Sequence, residues 1–548
     1  MSSMRFATKV VIATLLSTSQ LWAAPSAPVH TAPAIIPQPL QLQVSTGQAG
    51  FSLTEGIKVH YSVSRSEIGR AAVRALMAAG LPVLPEENTG ELTVQLVEHE
   101  NPEWHRICVT PEHISLQIAD EQALHSAAQT LAQSMTQAAD STPALPAMLV
   151  EDAPLLPYRG LMLDPCRHPQ TVDETCKMLQ IMARYKLNRL HWHLADDQGW
   201  RIEIKSYPRL TEVGSHRSET PTLANHEQGD GTPTTPFYFT QDEVRHVVAY
   251  ANSLGITVIP EIEVPGHSSA AIAAYPELGN SDIPGYAPRV ATTWGVLPYT
   301  YSPKPATMQF LSSVFAEICE LFPRAEFIHI GGDEAPRDQW QKSAYARDFM
   351  QQNNLRHTGQ VQHWFTHRMA ELMATHGRRI VGWDEIIDDG AVPADAVVMY
   401  WRSWVRPCSL RRALRAGHDV IQSPDSHFYF NFCQGKLPAD PRYKPHGSLS
   451  AQQDWRHVYS YNPIPANITP EQRRHLIGLQ ANCWSESIAN GHKLEYQCVP
   501  RICALAEVAW RPAELRNADE FLQRIIAHYP WFDAQQINYR REDGSPAR

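Results

Sequence analysis

Two acidic residues, Asp333 and Glu334, follow an apolar run and two glycines in the segment FIHIGGDE, residues 327–334. Carboxylates at adjacent positions repel each other, so one of them can keep its proton to an unusually high pH. Such a pair is typical of a solvated strand end or of a site for acid–base chemistry. The rest of the sequence must decide between these two interpretations.

Seven further apolar runs also end in polar or aromatic residues. Tryptophans beside carboxylates suit a pyranose ring, because the sugar C–H face stacks on indole while its hydroxyls bond to charged groups. A single tryptophan more often packs between strand and helix, but several at strand ends favour a site. These ends are Asp164 and Arg167, Asp196 and Asp197, Glu263 and His267, Trp383 to Glu385, Trp401, Asp425, and Trp484 with Glu486.

Cleavage of a glycosidic bond ordinarily needs two carboxyl groups, which lie about 5–5.5 Å apart in enzymes that retain the anomeric configuration. Adjacent residues on a strand point to opposite faces. Asp333 and Glu334 are therefore poorly placed to act as acid and nucleophile on one bond, although they can touch different parts of one substrate. This spacing favours a mechanism in which the substrate supplies the nucleophile.

The apolar runs alternate with amphipathic, helix-like stretches over residues 157–515. Near-continuous apolar strands separated by helices predict parallel pairing with both faces of the sheet covered. Eight such strands suit a closed (β/α)8 TIM barrel, whose active sites lie at the carboxyl ends of the strands. The runs are residues 160–166, 189–197, 257–267, 327–334, 379–386, 396–404, 418–425 and 476–486.

A smaller α+β domain is predicted at residues 34–150, before the barrel. It contains strand-like segments at 57–63, 92–98 and 113–119 and helix-like segments at 66–80 and 120–138. The proline-rich stretch 139–158 is interpreted as a linker. Residues 516–548 are predicted to form a C-terminal helix and tail.

The net charge bears on the kind of partner, and the first residues bear on the location of the protein. The chain has 548 residues and a net charge of −10 without a basic block, which argues against a nucleic-acid partner. Residues 1–23 contain Arg5 and Lys9, a short apolar stretch and a small-residue end, as in a secretory signal peptide, although an ordinary helix is the alternative. We expect a protein exported to a periplasm or the medium, without a transmembrane segment and with an unknown oligomeric state.

The nine cysteines leave at least one free thiol in an oxidising compartment. No C-x-x-C pair is present, so a zinc knuckle is not indicated. Cys498 and Cys503 are close enough in sequence to form a disulfide, but on one helix their five-residue offset would point them apart.

The segment FIHIGGDE resembles the signature of the β-N-acetylhexosaminidases of glycoside hydrolase family 20. The resemblance extends over roughly residues 157–515, and the N-terminal α+β domain fits the family's companion domain. It implies an exo-acting retaining enzyme that removes terminal β-linked N-acetylglucosamine, with N-acetylgalactosamine left open, without metal or organic cofactor. Seven more segments are similar, in the family's order: YRGLMLDPCRHP, LNRLHWHLADDQGWRIEIKSYPRLTEVGSHR, VIPEIEVPGHSSAAIAAYPELG, IVGWDEI, VVMYWRSW, SPDSHFYFNF and LQANCWSE.

The resemblance also implies a role for each site residue. The sugar's 2-acetamido oxygen attacks the anomeric carbon while Glu334 acts as general acid and then base, and Asp333 orients the acetamido N–H. Tyr429 would bond to the acetamido oxygen, and Asp196 and His267 would support Glu334. The residues implied to hold the sugar are Arg167 at O3 and O4, Glu486 at O4 and O6, the wall residues Trp383, Trp401 and Trp484, and Asn431, which stands where the family commonly has Asp.

Two other functions remain open at this stage. His191 and His193 form an H-x-H pair on the second strand, as in metal-dependent amidohydrolases, although no later histidine pair follows at a strand end. The barrel could instead bind sugar without catalysis. Among single residues, His267 could be structural, and Tyr429 with Asn431 could belong only to a lid.

Overall fold

The computed structural model of the protein describes residues 32–60, 66–85, 91–137, 142–222, 225–435 and 453–542. The predicted signal peptide, residues 1–23, lies outside these ranges. Within them, no helix has both the length and the apolar character needed to cross a bilayer.

The N-terminal domain is a mixed sheet packed against two helices. Its strands are β1 (Gln41–Val44), β2 (Phe51–Ser52), β3 (Ile57–His60), β4 (Val83–Pro85), β5 (Leu92–Leu96), β6 (His105–Val109), β7 (Ile114–Ile118), β8 (Thr136–Gln137), β9 (Pro143–Leu145) and β10 (Met148–Asp152). Helices α1 (Ser66–Ala78) and α2 (Gln122–Gln133) pack against each other and bury their apolar sides in one core with the sheet. The seven-stranded sheet has the order β1-β10-β6-β7-β5-β3-β4, and β2, β9 and β8 form a small separate sheet.

The interpretation of residues 139–158 as a linker is wrong. Met148–Asp152 forms β10, which pairs antiparallel with both β1 and β6 and therefore lies inside the large sheet. Alternate residues of β10 are buried, as expected for a strand with one face on a core. Only residues 153–157 separate this strand from the barrel.

The eight apolar runs form a closed barrel of parallel strands, so the predicted (β/α)8 fold is confirmed. Each strand pairs with the next in the chain, and the last closes on the first. The barrel strands are β11 (Tyr158–Leu163), β12 (Arg189–His193), β17 (Thr257–Glu261), β18 (Phe327–His329), β19 (Arg379–Trp383), β20 (Val397–Tyr400), β21 (Val420–Gln422) and β22 (Leu476–Cys483).

Helices cover most of the outside of the barrel. Two of them, α3 (Val172–Arg184) and α5 (Gln241–Ser253), begin with Thr capping boxes that satisfy their first backbone N–H groups. Between β19 and β20 the described chain has only a short 3-10 turn, Asp384–Ile387. The other helices are α4 (Arg209–Glu212), α6 (Ser269–Ala274), α7 (Pro305–Leu321), α8 (Asp338–Lys342), α9 (Ala344–Gln352), α10 (Gly359–Thr375), α11 (Ser409–Ala416), α12 (Asp425–Phe428), α13 (Trp455–Tyr459), α14 (Pro470–Arg474), α15 (Gly491–Cys498) and α16 (Arg501–Trp510).

Two helices follow the barrel where one was expected. They are α17 (Ala518–Ala527) and α18 (Tyr529–Ala534). The segment after β12 contains two short hairpins. One pairs β13 (Ala195–Asp196) with β14 (Gly199–Trp200), and the other pairs β15 (Pro221–Thr222) with β16 (Asn225–Gly229).

Buried ion pairs join the N-terminal domain to the barrel. Arg159, at the start of the barrel, forms two hydrogen bonds of 2.8 and 2.6 Å with the carboxylate of Glu103. The ammonium of Lys186 lies 3.1 Å from Asp152 Oδ2, and the indole of Trp510 donates to Asp152 Oδ1 at 2.8 Å. The two domains therefore meet through paired charges at the amino-terminal end of the barrel.

Candidate active site

A cavity of about 490 Å³ opens at the carboxyl ends of the barrel strands. This volume suits a small ligand such as one sugar ring with its substituents. Nine of the eleven predicted site residues line the cavity, and Asp196 and Trp383 do not. The lining residues are Arg167, His267, Asp333, Glu334, Trp401, Trp404, Asp425, Tyr429, Asn431, Phe432, Trp484 and Glu486.

A left-handed turn after β18 brings both acids of the GGDE segment to this cavity. Gly331 and Gly332 have φ angles of 64° and 92°, and Glu334 itself has a φ of 48°. A Cβ on Gly331 would lie 1.6 Å from Glu263 Oε2, so this position requires glycine. Because the strand has ended, its alternation of faces no longer separates Asp333 from Glu334.

His267 lies between the two carboxyl groups. Its Nε2 atom is 3.5 Å from Glu334 Oε2 and 3.9 Å from Asp333 Oδ2. Its Nδ1 atom is 2.9 Å from Asp197 Oδ2 and 3.5 Å from Asp196 Oδ1. Burial alone lowers the pKa of His267, but Asp196 and the hydrogen bonds to its acidic neighbours raise that pKa well above its ordinary value. His267 is thus a cation that faces Glu334.

The environments of the two acids push their pKa values apart. Burial raises the pKa of Asp333 to about 7, and the charges of Glu334 and Glu261 add to this effect against the opposing charge of His267. Burial also acts to raise the pKa of Glu334, but His267 and Arg167 outweigh it, so this pKa is lowered. Of the two acids, Asp333 therefore keeps its proton to the higher pH.

Three side chains fix the guanidinium of Arg167 at one side of the cavity. Its Nη2 atom lies 2.7 Å from Asp196 Oδ2, and its Nη1 atom lies 3.2 Å from Asp164 Oδ2. Its Nε donates to Gln198 Oε1 at 3.0 Å. The guanidinium stacks over the ring of Trp484, 5.0 Å from its centroid. These contacts hold the charge and plane of Arg167 ready for ligand oxygens.

Several buried polar atoms of the cavity have no hydrogen-bond partner among the described residues. They are Asp333 Oδ1, Asn431 Oδ1, Glu486 Oε2 and Trp401 Nε1. Burial also raises the pKa of Glu486, although the charge of Arg167 opposes this. Unpaired buried polar groups are rare in proteins, so their concentration here indicates a polar ligand.

Aromatic rings form the remaining sides of the cavity. Trp401 stacks on Tyr429, with centroids 6.1 Å apart and planes 9° apart. Trp404 meets the edge of Trp401 at 5.0 Å and is 56% exposed at the rim. Trp484 forms the opposite side next to Arg167. The cavity thus combines carboxyl groups with apolar ring faces, as the sequence predicts for a sugar site.

Trp383 does not form a wall of the cavity, contrary to the prediction. Its side chain is 1% exposed and lies beneath Trp484, with ring centroids 5.7 Å apart. Its indole N–H donates to Glu261 Oε1 at 2.9 Å. As the last residue of β19, Trp383 points into the barrel and supports the floor of the site.

A buried ionic chain that the sequence did not predict lies below the cavity. His193 and Glu261 are register partners at the ends of β12 and β17, and His193 Nδ1 is bonded to Glu261 Oε2. His193 Nε2 lies 2.8 Å from Asp196 Oδ2. With a carboxylate at each nitrogen, the acidic partners overcome burial and raise the pKa of His193 to about 10. The H-x-H segment therefore links Glu261 to Asp196 and, through it, to Arg167 and His267.

Three lining residues were given no role from the sequence: Trp404, Asp425 and Phe432. Asp425 and Trp404 lie at the ends of apolar runs, and this signal placed them at the rim without indicating what they do there. Phe432 belongs to the aromatic segment FYFNF and has no distinctive signal of its own.

A parallel barrel whose strand ends gather carboxyl groups and tryptophans is typical of a glycoside hydrolase. Comparison with known proteins identifies the family. The profile "Glycosyl hydrolase family 20, catalytic domain" matches residues 156–513, and "Glycosyl hydrolase family 20, domain 2" matches residues 32–153. The chain therefore belongs to glycoside hydrolase family 20, and its barrel is the catalytic domain of a β-N-acetylhexosaminidase. This membership contradicts the amidohydrolase alternative.

Named relatives and solved structures agree with this assignment. A beta-hexosaminidase of Porphyromonas gingivalis is 40% identical over 397 residues, which are 72% of this chain and 48% of that protein. A beta-N-acetylhexosaminidase of Cellulomonas fimi is 31% identical over 91% of this chain and 94% of its own length. The chain thus spans about half of the first relative and nearly all of the second.

The crystal structure of the GH20 exo beta-N-acetylglucosaminidase of Vibrio harveyi, in complex with N-acetylglucosamine, is similar in fold. The two structures superpose with a TM-score of 0.79 at 28% sequence identity. The aligned region includes 96% of this chain and 81% of the Vibrio harveyi chain.

Proposed function

We propose that this protein removes terminal β-linked N-acetylglucosamine from the non-reducing ends of oligosaccharides by substrate-assisted catalysis with retention. The observation that supports this best is the position of His267 Nε2 within 4 Å of both Asp333 and Glu334 in one cavity. The two carboxyl groups can therefore act on one sugar, with separate tasks. No protein nucleophile is needed if the acetamido group of the sugar takes that task.

In the first step, the acetamido oxygen attacks the anomeric carbon and the bond to the leaving oxygen breaks. Glu334 gives its proton to that oxygen, so the leaving group departs as an alcohol. Asp333 accepts a hydrogen bond from the acetamido N–H, on which positive charge develops in the oxazolinium ring. The buried Asp333 Oδ1, which has no partner among the described residues, is available for this bond.

In the second step, water opens the oxazolinium ring. Glu334, now a carboxylate, takes a proton from the water as its oxygen attacks the anomeric carbon. The sugar leaves with its original configuration, because two inversions at one carbon restore it. Glu334 ends protonated, ready for another cycle.

Substrate binding changes which carboxyl group holds the proton. The amide N–H favours the anionic form of Asp333, which in the free site has its pKa raised to about 7. The sugar also displaces water from Glu334, whose side chain is 35% exposed, and this desolvation favours its protonated form. His267 lies between the two acids and is placed to pass the proton from one to the other.

The remaining lining residues set the position of the sugar. Arg167 and Glu486 face the hydroxyls, with O3 and O4 assigned to Arg167 and O4 and O6 to Glu486. Tyr429 bonds to the acetamido oxygen, and Trp484 covers a ring face. The exposed indole of Trp404 at the rim offers a surface for the leaving sugar, as in a chitobiose-type disaccharide.

Export of the protein is part of this proposal and depends on residues 1–23. We propose cleavage near Ala23 and release into a periplasm or the medium. N-terminal sequencing of the native protein tests this point. A mature chain that begins near residue 24 supports export, whereas an intact Met1 in the cytoplasmic fraction contradicts it.

The mechanism is tested with two aryl glycosides that differ only in the 2-acetamido group. We expect kcat/KM for 4-nitrophenyl β-glucoside to be at least about 1000-fold lower than for the matching N-acetylglucosaminide, because the plain sugar lacks the internal nucleophile. The first-formed sugar should be the β anomer, which proton NMR detects. A comparable rate on the plain glucoside, or a covalent sugar ester on the protein, would overturn the mechanism.

A further inference from the structure

Cys483 and Cys498 lie side by side below the wall of the cavity. Their Sγ atoms are 3.3 Å apart, and both side chains are fully buried. Cys483 is the last residue of β22, and Cys498 is the last residue of α15. Cys503, the partner considered from the sequence, lies on the next helix, α16. We propose that Cys483 and Cys498 form a disulfide that joins two walls of the active site.

The two thiols need to approach by only about 1.3 Å to reach the roughly 2.0 Å length of a disulfide. In the oxidation, each thiol loses one proton and one electron, and the sulfur–sulfur bond forms. A small-molecule or protein disulfide takes up both electrons and both protons by thiol–disulfide exchange and leaves as two thiols. Such an oxidant is present in the oxidising compartment that the proposed export supplies.

The bond must form while the chain folds. Burial raises the pKa of Cys483 well above its ordinary value, so this thiol provides almost no reactive thiolate in the native protein. Before α15 docks against the barrel, both thiols are open to an oxidant. After docking, the same burial protects the disulfide from reductants.

On one side the disulfide is attached to the wall that contains Trp484. Trp484 directly follows Cys483, and the next residue, Ser485, donates its backbone N–H to Asp164 Oδ2 at 2.9 Å. Asp164 also holds Arg167, at 3.2 Å. A shift of Cys483 would therefore move the tryptophan and loosen the contacts that fix the arginine.

On the other side the disulfide is attached to the wall that contains Tyr429 and Asn431. Gln497, which precedes Cys498, donates its amide to the backbone carbonyls of Phe430 and Asn431 at 3.0 and 3.1 Å. The rings of Tyr429 and Trp484 meet edge to face at the cavity, with centroids 6.3 Å apart. A bond between the two cysteines would fix this distance, so its loss should weaken sugar binding more than it slows the chemical step.

The first experiment detects the bond directly. The full chain is refolded once with oxidised glutathione and once with dithiothreitol, then denatured without reductant, alkylated, digested and analysed by mass spectrometry. After oxidative refolding we expect a peptide cross-linked at Cys483 and Cys498, with the other seven of the nine cysteines alkylated. Two free thiols at these positions, or a bond from Cys498 to Cys503, would overturn the proposal. This result does not depend on which glycoside the enzyme cleaves.

The second experiment separates a disulfide from simple packing. Cys483→Ala, Cys498→Ala and the double variant should lose the same few degrees of thermal midpoint, because each removes one and the same bond. KM for the aryl N-acetylglucosaminide should rise about threefold in all three, with kcat within twofold. Additive losses in the double variant would contradict the bond. Cys319→Ala, on α7, is the control and should behave alike in oxidised and reduced protein.

Discussion

The two ends of the barrel both bury charged residues but arrange them differently. At the amino-terminal end, the cations Arg159 and Lys186 each meet one carboxylate of the N-terminal domain, Glu103 and Asp152. At the carboxyl end, acids outnumber the cations that face them, and several acidic oxygens have no partner among the described residues. At the amino-terminal end, paired charges join the two domains. At the carboxyl end, the acids without a cationic partner hold protons that a reaction can use.

The pKa values of the acids reflect this difference. The acids at the carboxyl end repel each other in a buried space, and burial raises the pKa of Glu385 to about 8 and that of Asp333 to about 7. Glu263, beneath Asp333, also has its pKa raised well above the ordinary value by burial and by Asp333. This end of the fold gives up stability to keep its acids ready to react.

The largest effect should come from Glu334→Gln, which keeps the shape of the side chain and removes the transferable proton. We expect kcat/KM on an N-acetylglucosamine disaccharide to fall at least about 1000-fold, because its alcohol leaving group requires protonation. On a 2,4-dinitrophenyl glycoside, whose leaving group departs as an anion, the fall in the first step should be much smaller. Equal losses on both substrates would remove the general-acid role. Thermal unfolding of the variant should resemble that of the wild type.

At the opposite end, Glu103→Gln should damage stability instead of chemistry. It leaves the buried guanidinium of Arg159 without its counter-ion, which lowers the free energy of unfolding by about 3 kcal/mol. Urea unfolding measures this loss, and kcat at a temperature where the variant stays folded should be unchanged. Glu326→Gln is the matched control, since Glu326 pairs with Arg189 at the same end but is 50% exposed. If both variants lose equally little, the buried pair does not join the domains as described.

The smallest effect should be a gain in stability from Asp333→Asn that depends on pH. The folded protein keeps a proton on Asp333 up to about pH 7, whereas an unfolded aspartate releases it near pH 4. Stability is therefore lost as the pH rises between these values, and the asparagine variant avoids this loss. Its thermal midpoint should exceed that of the wild type by about 2 °C at pH 8 and by less at pH 5. Asp348→Asn, at an exposed position, is the control, and a pH-independent difference would contradict the raised pKa.

The barrel could be predicted from the sequence because its strands are buried on both faces. Each strand appears as a short apolar run whose end changes to polar residues, so both the fold and the positions of the lining residues follow from local patterns. The strand β10 was missed because its five residues lie between prolines at positions 146 and 154 and gain their stability from distant partners. The neighbouring prolines indicated a linker more strongly than the alternation of apolar and polar residues in β10 indicated a strand.

The buried chain through Glu261 could not be predicted in the same way. His193 and Glu261 are 68 residues apart, and they meet only because β12 and β17 pair in one register. The displacement of Trp383 from the wall has a similar origin, since the direction of a side chain at a strand end depends on the tilt of the strand in the closed barrel. Sequence patterns identify strand ends, whereas strand register decides which side chains meet there.

The paired charges between the domains limit how this enzyme can be taken apart. A shortened version that begins at the first barrel strand would keep Arg159 and Lys186 against Trp510 without Glu103 and Asp152, the anions that now neutralise them. Designers who wish to transplant or minimise the catalytic unit therefore need to retain the companion domain or replace both cations with apolar side chains.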